Sequence, residues 1–459
     1  MAEAGSAVGV RGGVKPRGNK KPLTSQETPN PKRPRTEPEV EIHLVCALKR
    51  CSDVIAPQTQ KYVEIKAGLP ERGLAAFLHK SAISWKPSGE ATFHDSCWKE
   101  VLRNARVRNV KRATIKMSPH EKALLKEAAK TAEFHDSLDQ AQKEAARIAT
   151  LIRSAKYCTA FTGAGISTSA GIGDYRGKGG KWTEMDREAV TAMVSDNLKD
   201  SNEPEDHAPA ELSENSDEVP YEQLRPTYTH EALVKLYEKG FLKHVISQNG
   251  DGLHGLSGMP PEHLSELHGN IYLEICEKCD HRYYRPFYVM DDSASQYFEE
   301  LADYGTTDVP KPKHAAQCRQ CGLTHRTGRR CQKAGCKGFL KDSIINFGDD
   351  LEEKVLTNAE KHAQLSDLCL SLGTTMRVTP ACELVEMGKQ PLRLVIVNRQ
   401  TTHLDGLCCK EQLGARVFGD CDQVMREVMR NLLSKEERVA WEDARPQRMK
   451  HYDKLRVAP

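Results

Sequence analysis

Aromatic residues and long apolar runs are scarce in this sequence. Only 6% of its 459 residues are Phe, Trp or Tyr, and 38% are hydrophobic. No run approaches the roughly 18 apolar residues that a membrane-spanning helix needs, and the N-terminus has Gly, Lys and Pro where a signal peptide needs an apolar core. We therefore expect a chain that is neither membrane-spanning nor secreted, in which folded parts alternate with polar tails or linkers.

The net charge is also small, at +3, so no overall excess of one sign indicates a partner. Cysteine, by contrast, is abundant, with 15 residues. In a long chain without a secretion signal, cysteines at C-x2-C spacing indicate reduced thiols that bind metal rather than disulfides. The length predicts about three folded or partly folded units.

Residues 1–40 form a basic arm. They contain eight Lys or Arg and four Glu, are rich in Gly and Pro, and include the run Pro31-Lys32-Arg33-Pro34-Arg35. This composition predicts disorder, and the basic run is typical of nuclear-import signals. Because short basic runs are common, a solvated tail without an import receptor is the alternative.

Residues 41–98 contain two pairs of soft metal ligands, Cys46 with Cys51 and His94 with Cys97. Each pair can supply two corners of a tetrahedral zinc site from a tight turn, so this region is a candidate small zinc module. The His-x2-Cys pair after a tryptophan loosely resembles zinc fingers of the poly(ADP-ribose) polymerase type, although the first pair is C-x4-C. Two buried thiols and a surface histidine are the alternative.

A basic linker over residues 99–117 follows. Its only acidic residue is Glu100. Its seven cations are Lys99, Arg103, Arg106, Arg108, Lys111, Arg112 and Lys116. Such a stripe suits phosphate contacts, so residues 1–116 are a candidate contact for DNA or nucleosomes. A plain solvated helix face is the alternative.

A helix is predicted to begin at Ser118. Ser118 is a favourable N-cap, Pro119 suits the first helical position, and Glu121 can close a capping box. The apolar positions that lead from this helix into the next module are Leu124, Leu125, Ala128, Ala132, Ile148, Leu151 and Ile152. We place the main folded domain over residues 118–433, followed by a C-terminal tail over 434–459.

Short apolar runs alternate with helical patterns from Tyr157 to Leu433, which predicts an α/β fold around a parallel sheet. The candidate strands are Tyr157–Thr162, Val245–Gln248, Leu368–Leu372, Leu392–Asn398 and Arg416–Gly419. Two inserts interrupt the pattern. The stretch from Asp196 to Glu218 has nine carboxylates and one Lys, which predicts a disordered loop over about 190–222. The second insert, Cys276–Lys341, is rich in cysteine.

Glycines and polar residues follow the predicted strands. The first strand runs into the turn Gly163 to Thr168, where glycines let the backbone approach a pyrophosphate, although Thr168 replaces the third glycine of a dehydrogenase fingerprint. The other strand endings are Gln248-Asn249, Gly373-Thr374-Thr375, Asn398 and Gly419. Open parallel sheets bind ligands at these ends, and His268 follows a polar loop in a position that suits a general base.

The order of several motifs is informative. They are Gly163-Ala164-Gly165-Ile166-Ser167-Thr168, Asp174-Tyr175-Arg176-Gly177, Trp182, the run Ser247 to His254, Leu267-His268-Gly269-Asn270, paired cysteines, Phe347-Gly348-Asp349 and Leu372-Gly373-Thr374-Thr375. Together, over about residues 118–433, they resemble the sirtuin family. The runs Val395 to Gln400, Thr327-Gly328-Arg329 and Asp422 to Met425 look like the class IV branch, which contains nuclear, chromatin-associated members.

The resemblance implies NAD-dependent removal of acyl groups from lysine, on proteins such as histones in the nucleus, with nicotinamide, O-acyl-ADP-ribose and free lysine as products. It implies a Rossmann domain with a small zinc-binding domain inserted at about 271–342. The catalytic residues that it implies are His268 as the base, with Asn249 and Asp251 in the nicotinamide pocket. The NAD-binding residues that it implies are Gly163, Ala164, Gly165, Ser167, Thr168, Asp174, Tyr175, Arg176, Trp182, Gln248, Asn249, His268, Gly373, Thr375, Asn398, Gln400 and Cys421.

Six cysteines of the second insert compete for the four positions of a structural zinc site. The C-x2-C pair at 276–279 is a strong zinc-knuckle signal. Family position favours the pair at 331–336 as its partner, whereas spacing alone favours the pair at 318–321. The predicted ligands are Cys276, Cys279, Cys331 and Cys336, with Cys318 and Cys321 as the alternative second pair.

Two other functions are alternatives to the deacylase. One is a protein mono-ADP-ribosyltransferase that uses the same NAD site, and the other is a chromatin reader that binds ADP-ribose with little turnover. The family usually has proline at the position of Gly173 and an apolar residue at that of Gly250, and these departures favour the reader. The presence of His268, Asn249 and Asp251 argues against it.

Overall fold

The computed structural model describes residues 44–68, 80–107, 114–173, 220–290, 318–409 and 413–456, and the structural statements below concern these residues. The predicted basic arm over 1–40 and the acidic stretch from Asp196 to Glu218 lie outside them. Among the described helices, none combines the length and the apolar character that crossing a membrane requires.

The first described part of the chain folds around a three-stranded antiparallel sheet. Its elements are β1 (Leu44–Val45), β2 (Val54–Ile55), β3 (Tyr62–Lys66), β4 (Glu90–His94), α1 (Asp95–Arg106), α2 (Pro119–Lys130) and β5 (Glu133–His135). β3 lies between β4 and β5, while β1 and β2 form a separate hairpin. Alternate residues of β3 point inward, so Val63 and Ile65 are buried with Phe93 and Trp98 in one apolar core.

α2 begins as predicted, with the Ser118 hydroxyl accepting a hydrogen bond from the backbone N–H of Glu121 at 3.1 Å. The helix ends at Lys130, however, and a strand separates it from the next helix. Leu125 and Ala128 of α2 are buried in the core of the first sheet, whereas Ile148 belongs to the core of the following domain. The break between the two cores therefore falls near β5 and not at residue 118.

The rest of the described chain is built from alternating helices and strands. In chain order they are α3 (Leu138–Ser154), β6 (Cys158–Thr162), α4 (Tyr228–Glu238), β7 (Leu242–Ser247), α5 (Leu253–Leu256), β8 (Leu264–Glu266), β9 (Leu273–Cys276), β10 (Arg282–Tyr284), β11 (Arg326–Arg330), β12 (Phe339–Asp342), α6 (Glu353–Leu365), β13 (Leu368–Leu372), β14 (Leu394–Val397), β15 (Gly414–Val417), α7 (Cys421–Leu432), α8 (Lys435–Asp443) and α9 (Arg445–Leu455).

Six parallel strands form the central sheet, in the order β15-β14-β13-β6-β7-β8. Val395 and Val397 of β14 pack on one face with α3, α4 and α7. Leu394 and Ile396 pack on the other face with α6. Both faces are therefore buried, which explains the continuous apolar strands and confirms the Rossmann-like α/β fold.

The predicted strands of this sheet are present with shifted ends. The second begins at Leu242 rather than Val245, and the last spans Gly414–Val417 rather than Arg416–Gly419. The sequence does not predict the edge strand β8, because its three residues are too short a run to be distinguished from a loop.

β9 to β12 form a separate antiparallel sheet in the order β10-β9-β12-β11, which confirms a small domain inserted into the main one. Glu274 of β9 has a fully buried side chain. Its carboxylate accepts hydrogen bonds from Nε of Arg285 at 2.6 Å and Nε of Arg329 at 2.7 Å. Since a buried carboxylate needs such partners, these two pairs join β9 to the neighbouring chain segments.

The segment over 434–459, predicted as a tail, contains the helices α8 and α9. α9 packs Tyr452 against Leu253 and Leu256. The buried carboxylate of Glu231 on α4 accepts hydrogen bonds from Nε of Arg445 and Nε of Arg448, each at 2.9 Å. The C-terminal helices are thus attached to the main domain by apolar packing and by buried ion pairs.

Candidate functional site

The glycine turn after β6 packs directly against the turn after β13. The N–H of Gly165 donates to the carbonyl of Gly373 at 2.8 Å, and Gly373 has a φ of +65°. A Cβ at Gly163 would lie 2.7 Å from Cβ of Thr374, and one at Gly165 would lie 2.7 Å from Cα of Gly373. Glycine is therefore required here, because only backbone without Cβ can approach so closely.

A hydrogen-bonded group of polar side chains lies beside this turn. The amide nitrogen of Asn249 donates to the carbonyl of Gly163 and to the hydroxyl of Ser167, both at 3.2 Å. Ser167 in turn donates to the Asp251 carboxylate at 2.6 Å. Within the described part of the chain the Asn249 amide oxygen has no hydrogen-bond donor, and the network fixes Ser167, Asn249 and Asp251 relative to one another.

His268 lies at the carboxyl end of the same sheet, two residues after β8. Its Nδ1 donates to the backbone carbonyl of Gln248 at 2.8 Å, because that carbonyl can only accept. Burial lowers the pKa of the ring from its usual 6.5, although the hydrogen bond to Gln248 opposes the shift. The neutral tautomer that results carries its lone pair on Nε2, which can accept a proton.

Gln248 is held from the opposite side. The hydroxyl of Thr374 donates to its side-chain oxygen at 2.8 Å, and its backbone N–H donates to the carbonyl of Thr162 at 2.9 Å. The side chain of Gln248 thus lies between the turn after β13 and the histidine that its carbonyl orients.

Six of the predicted NAD-binding residues line one cavity at the carboxyl ends of β6, β13 and β14, namely Gly165, Thr168, Gly373, Asn398, Gln400 and Cys421. The amide of Asn398 donates to the carbonyl of Gln400 at 3.0 Å. Cys421 is buried, and burial raises the pKa of its thiol well above the usual range, so it forms an apolar wall rather than a nucleophile. The predicted residues Ala164 and Thr375 do not line this cavity.

The same cavity is lined by three charged residues that sequence reasoning missed: Glu133, Arg399 and Asp420. Arg399 forms ion pairs with Asp420 and with Glu133, whose carboxylate lies 3.6 Å away. Arg399 and Asp420 are next to residues that the strand-end rule selects, and that position is a signal for them. Glu133 comes from β5 of the N-terminal sheet, and no sequence pattern links it to this cavity.

Four other predicted residues, Asp174, Tyr175, Arg176 and Trp182, lie outside the described residues. Among the described ones, His254 shares the motif of Asn249 and Asp251 but has a different environment. It is 1% exposed, and its Nε2 is 2.8 Å from the hydroxyl of Thr162. Burial and the neighbouring His230 lower its pKa to about 3, so it remains a neutral core residue.

Four thiols meet in the inserted domain, those of Cys276, Cys279, Cys331 and Cys336. The sulfur atoms of Cys276 and Cys336 are 3.6 Å apart, and those of Cys279 and Cys331 are 3.7 Å apart. A tetrahedral zinc ion with Zn–S bonds of about 2.3 Å would separate its sulfur ligands by about 3.8 Å. The hydroxyl of Tyr283 contacts the Cys331 sulfur at 3.2 Å and lowers the pKa of that thiol to about 6. The geometry of this cluster fits a closed, four-thiolate zinc site.

The alternative pair, Cys318 and Cys321, lies in a different group with His325 and Asp349. The sequence leaves two cysteine pairs as alternatives to complete the zinc site with Cys276 and Cys279. In the structure the pair at 331–336 lies beside these two residues, and the pair at 318–321 does not.

The N-terminal ligand pairs also meet. Cys46, Cys51, His94 and Cys97 have one ligand atom each within 4.8 Å of the others. Nδ1 of His94 is 3.7 Å from the sulfur of Cys51 and 3.9 Å from that of Cys97. The chain thus folds so that one tetrahedral ion can contact all four.

Known proteins with similar sequences provide an independent line of evidence about this site. The model described as "SIR2: Sir2 family" matches residues 163–380. The NAD-dependent protein deacetylase SRT1 of Arabidopsis thaliana is 36% identical over 302 residues, which are 66% of this chain and 52% of that protein. The NAD-dependent protein deacetylase sirtuin-7 of Homo sapiens is 33% identical over 313 residues, 65% of this chain and 62% of that protein. The match thus spans between about half and two thirds of the length of these curated relatives.

A solved chain described as "Sir2-p53 peptide-NAD+" shares 25% identity over 61% of this chain and 95% of its own length, with a TM-score of 0.38. The NAD-dependent protein deacetylase Sirt6 of Drosophila melanogaster is 33% identical over 274 residues, which cover 60% of this chain and 72% of that protein. The similarity to Sirt6, together with the match to the family model, shows that the chain belongs to the Sir2, or sirtuin, family.

Proposed function

We propose that this protein is an NAD-dependent protein-lysine deacylase whose products are nicotinamide, O-acyl-ADP-ribose and free lysine. Family membership and relatives named as NAD-dependent protein deacetylases support the proposal. The observation that carries it is the placement of the His268 ring, which is fixed through Nδ1 by the Gln248 carbonyl at 2.8 Å. A ring fixed in this way is a general base with one nitrogen reserved for the substrate side.

The residues at the sheet ends fit NAD. Backbone that cannot carry a Cβ at Gly163 and Gly165 allows N–H groups to approach a pyrophosphate closely. NAD would supply an electrophilic ribose carbon and nicotinamide as the leaving group. Thr168 and Gln248 would contact the ribose side, while the cavity residues assigned to the adenosine end are Gly373, Asn398, Gln400 and Cys421.

The polar network gives each remaining side chain a role. Because the Asn249 amide nitrogen is committed to Gly163 and Ser167, its oxygen can accept a hydrogen bond from the nicotinamide carboxamide. Asp251 holds Ser167 in the orientation that maintains this network. With NAD bound, Nε2 of His268 would be the acceptor for a proton from a ribose hydroxyl, and loss of that proton would make the hydroxyl a better nucleophile.

The test uses an acetylated and a myristoylated histone peptide, each incubated with NAD and full-length protein and analysed by mass spectrometry. The proposal predicts free lysine and O-acyl-ADP-ribose. ADP-ribose attached to the peptide would instead favour the transferase, and NAD binding without either product would favour the reader.

The matched variants for this test are His268→Ala and His263→Ala. His263 makes the same kind of contact at the other end of β8, with Nδ1 3.1 Å from the carbonyl of Lys243. We expect His268→Ala to abolish turnover and His263→Ala to retain it, with both variants folded in thermal melting. Equal activity of the two variants would remove His268 from its role.

We also propose that Cys276, Cys279, Cys331 and Cys336 bind a structural zinc ion, since four thiolates leave no open position for water. Cys276→Ser should lose zinc and lower the melting temperature of the protein, because the ion joins β9 to the segments around β12. Zinc analysis of the purified variant measures this. Full zinc content in Cys276→Ser would contradict the assignment.

The N-terminal region is proposed to bind a second zinc through Cys46, Cys51, His94 and Cys97 and to contact DNA or nucleosomes through residues 1–116. We further propose a nuclear, chromatin-bound location, which the basic run at 31–35 supports. The exposed cations Lys99, Arg103 and Arg106 on α1 support a phosphate contact. Fluorescence of the tagged protein in cells, with and without residues 31–35, tests the location.

A further inference from the structure

We propose that the inserted domain holds a further zinc ion, bound by Cys318, Cys321, His325 and Asp349. These side chains take no part in the four-thiol cluster or in the candidate NAD site. One ligand atom from each lies within 4.8 Å of all the others. Three separate chain segments, the turn at 318–321, the residue before β11 and the loop after β12, are needed to bring them together.

Three distances between these residues are close to those of a tetrahedral site, with Asp349 near Cys318 through one oxygen and near His325 through the other. Sγ of Cys321 is 3.3 Å from Nε2 of His325, and Sγ of Cys318 is 3.3 Å from Oδ1 of Asp349. Nε2 of His325 is also 3.3 Å from Oδ2 of Asp349. Zinc bonds of about 2.3 Å to sulfur and about 2.0–2.1 Å to nitrogen and oxygen would separate such ligands by about 3.3–3.6 Å.

The turn that carries the two cysteines has the form of a zinc knuckle. The N–H of Cys318 donates to the carbonyl of Leu323 at 2.8 Å, and Gly322 adopts a φ of +78°, a conformation that favours glycine. The N–H of Gln320 donates to the Cys318 sulfur at 3.4 Å. Backbone donors directed at a sulfur stabilise a thiolate, which is the form that binds metal.

The histidine is oriented by a carboxylate. Nδ1 of His325 donates to Oδ1 of Asp342 at 3.1 Å, and the Asp342 side chain is 5% exposed. This contact fixes the tautomer and directs Nε2 at the two cysteines, as carboxylate–histidine pairs do around metals. The ligand Asp349 is itself positioned, because its Oδ2 accepts the N–H of Asn346 at 2.9 Å.

Two thiolates, an imidazole and a carboxylate form a ligand set that suits zinc better than the oxygen-seeking Mg²⁺ or Ca²⁺. Binding would release the thiol protons and close all four positions, so the ion would be structural. It would also join the 318–321 turn to the loop before α6. That loop contacts the candidate active site, since the N–H of Ile345 donates to the carbonyl of His268 at 3.1 Å.

The test is zinc analysis of the purified full-length protein and of the variants His325→Gln and Asp349→Asn. Each variant should contain about one zinc ion per chain less than the wild type, and Cys276→Ser/His325→Gln about two less, because the sites are separate. The matched control is Asp350→Asn. Asp350 follows Asp349 in the chain, but its carboxylate accepts a hydrogen bond from the Gln320 side chain and is not one of the proposed ligands. The Asp350→Asn variant should therefore keep the full zinc content. Unchanged zinc in both His325→Gln and Asp349→Asn would overturn the proposal.

A second measurement needs no variant and therefore does not depend on variant folding. Cys318 and Cys321 are partly exposed, so iodoacetamide can reach them. In the wild-type protein a bound zinc should protect both cysteines from alkylation. Adding a chelator should then raise their alkylation rate by at least about tenfold, measured by mass spectrometry of the peptide that contains them. Equal alkylation rates with and without chelator would also overturn the proposal.

Discussion

His268 and His254 differ in what their ring nitrogens contact, although both follow strand-end motifs. His254 is enclosed by the core, with Nε2 bound to Thr162 and its ring 4.7 Å from that of His230. His268 uses Nδ1 for a backbone carbonyl, and Nε2 has no hydrogen-bond partner among the residues that the structure describes. At the scale of single residues, the partner of each nitrogen therefore decides which histidine is a candidate base.

The pH dependence of activity should reflect the lowered pKa of His268. Only the neutral ring accepts a proton, so kcat/KM falls as pH decreases through this pKa. Because burial lowers the pKa from 6.5, more than half of the maximal kcat/KM should remain at pH 6.5. Rates on an acetylated peptide from about pH 5 to 8 measure this, and a half-maximal point above pH 6.5 would contradict the assignment.

Gly165→Ala tests the close approach of the two turns. The new Cβ would lie 2.7 Å from Cα of Gly373, where only backbone could move, so we expect a loss of about 1–3 kcal/mol in stability and a higher KM for NAD. Gly406→Ala is the matched control, since no atom lies within 4 Å of its added Cβ. Denaturant unfolding measures the stability of both variants, and NAD titration of their activity measures KM. Equal stability and equal KM in the two variants would show that the turns tolerate a side chain.

At the scale of elements, α1 carries its cations on the face opposite its buried residues. Trp98 and Val101 face the core, while Lys99, Arg103 and Arg106 are exposed. The predicted cations Arg108, Lys111 and Arg112 lie outside the described residues. A helix with this division can bind a phosphate backbone without disturbing the module core.

Arg103→Gln with Arg106→Gln should weaken DNA binding and its salt dependence. Each lost phosphate contact reduces the slope of log affinity against log salt by about 0.9, so losing both contacts should reduce it by about 1.8. Lys435→Gln with Lys450→Gln removes the same charge from exposed positions on the C-terminal helices and should leave the slope unchanged. Fluorescence anisotropy across a salt titration measures both, and identical slopes would exclude α1 as a phosphate contact.

At the scale of the whole molecule, the C-terminal helices should contribute to the stability of the main domain. Arg445→Gln with Arg448→Gln leaves the Glu231 carboxylate, 2% exposed, without both of its cations. Breaking a buried pair costs about 3–5 kcal/mol. Lys450→Gln with Lys454→Gln removes the same charge from exposed side chains and should cost little. Chemical denaturation of the two double variants compares them, and equal stability would mean that α9 is only loosely attached.

The central sheet is predictable from sequence because runs such as Leu394–Val397 are buried on both faces and therefore read as continuous apolar strands. Gly163, Asn249 and His268 are predictable as site candidates since each follows such a strand or the loop after it. Glu133 is not predictable, because its contact with Arg399 arises from tertiary packing between two separate cores. Asp349 is not predicted as a candidate metal ligand for the same reason, since it lies far along the chain from Cys318.

β5 is shared between the two cores. It pairs with β3 on one side, while Phe134 and Asp136 donate backbone N–H groups to the carbonyls of Arg399 and Phe418 on the other. Neither core can open at this strand without breaking hydrogen bonds of the other, so local unfolding of the two is thermodynamically linked. This coupling is reciprocal: the free energy by which a ligand in the cavity beside Glu133 stabilises the N-terminal sheet equals the free energy by which folding of that sheet strengthens binding of the ligand.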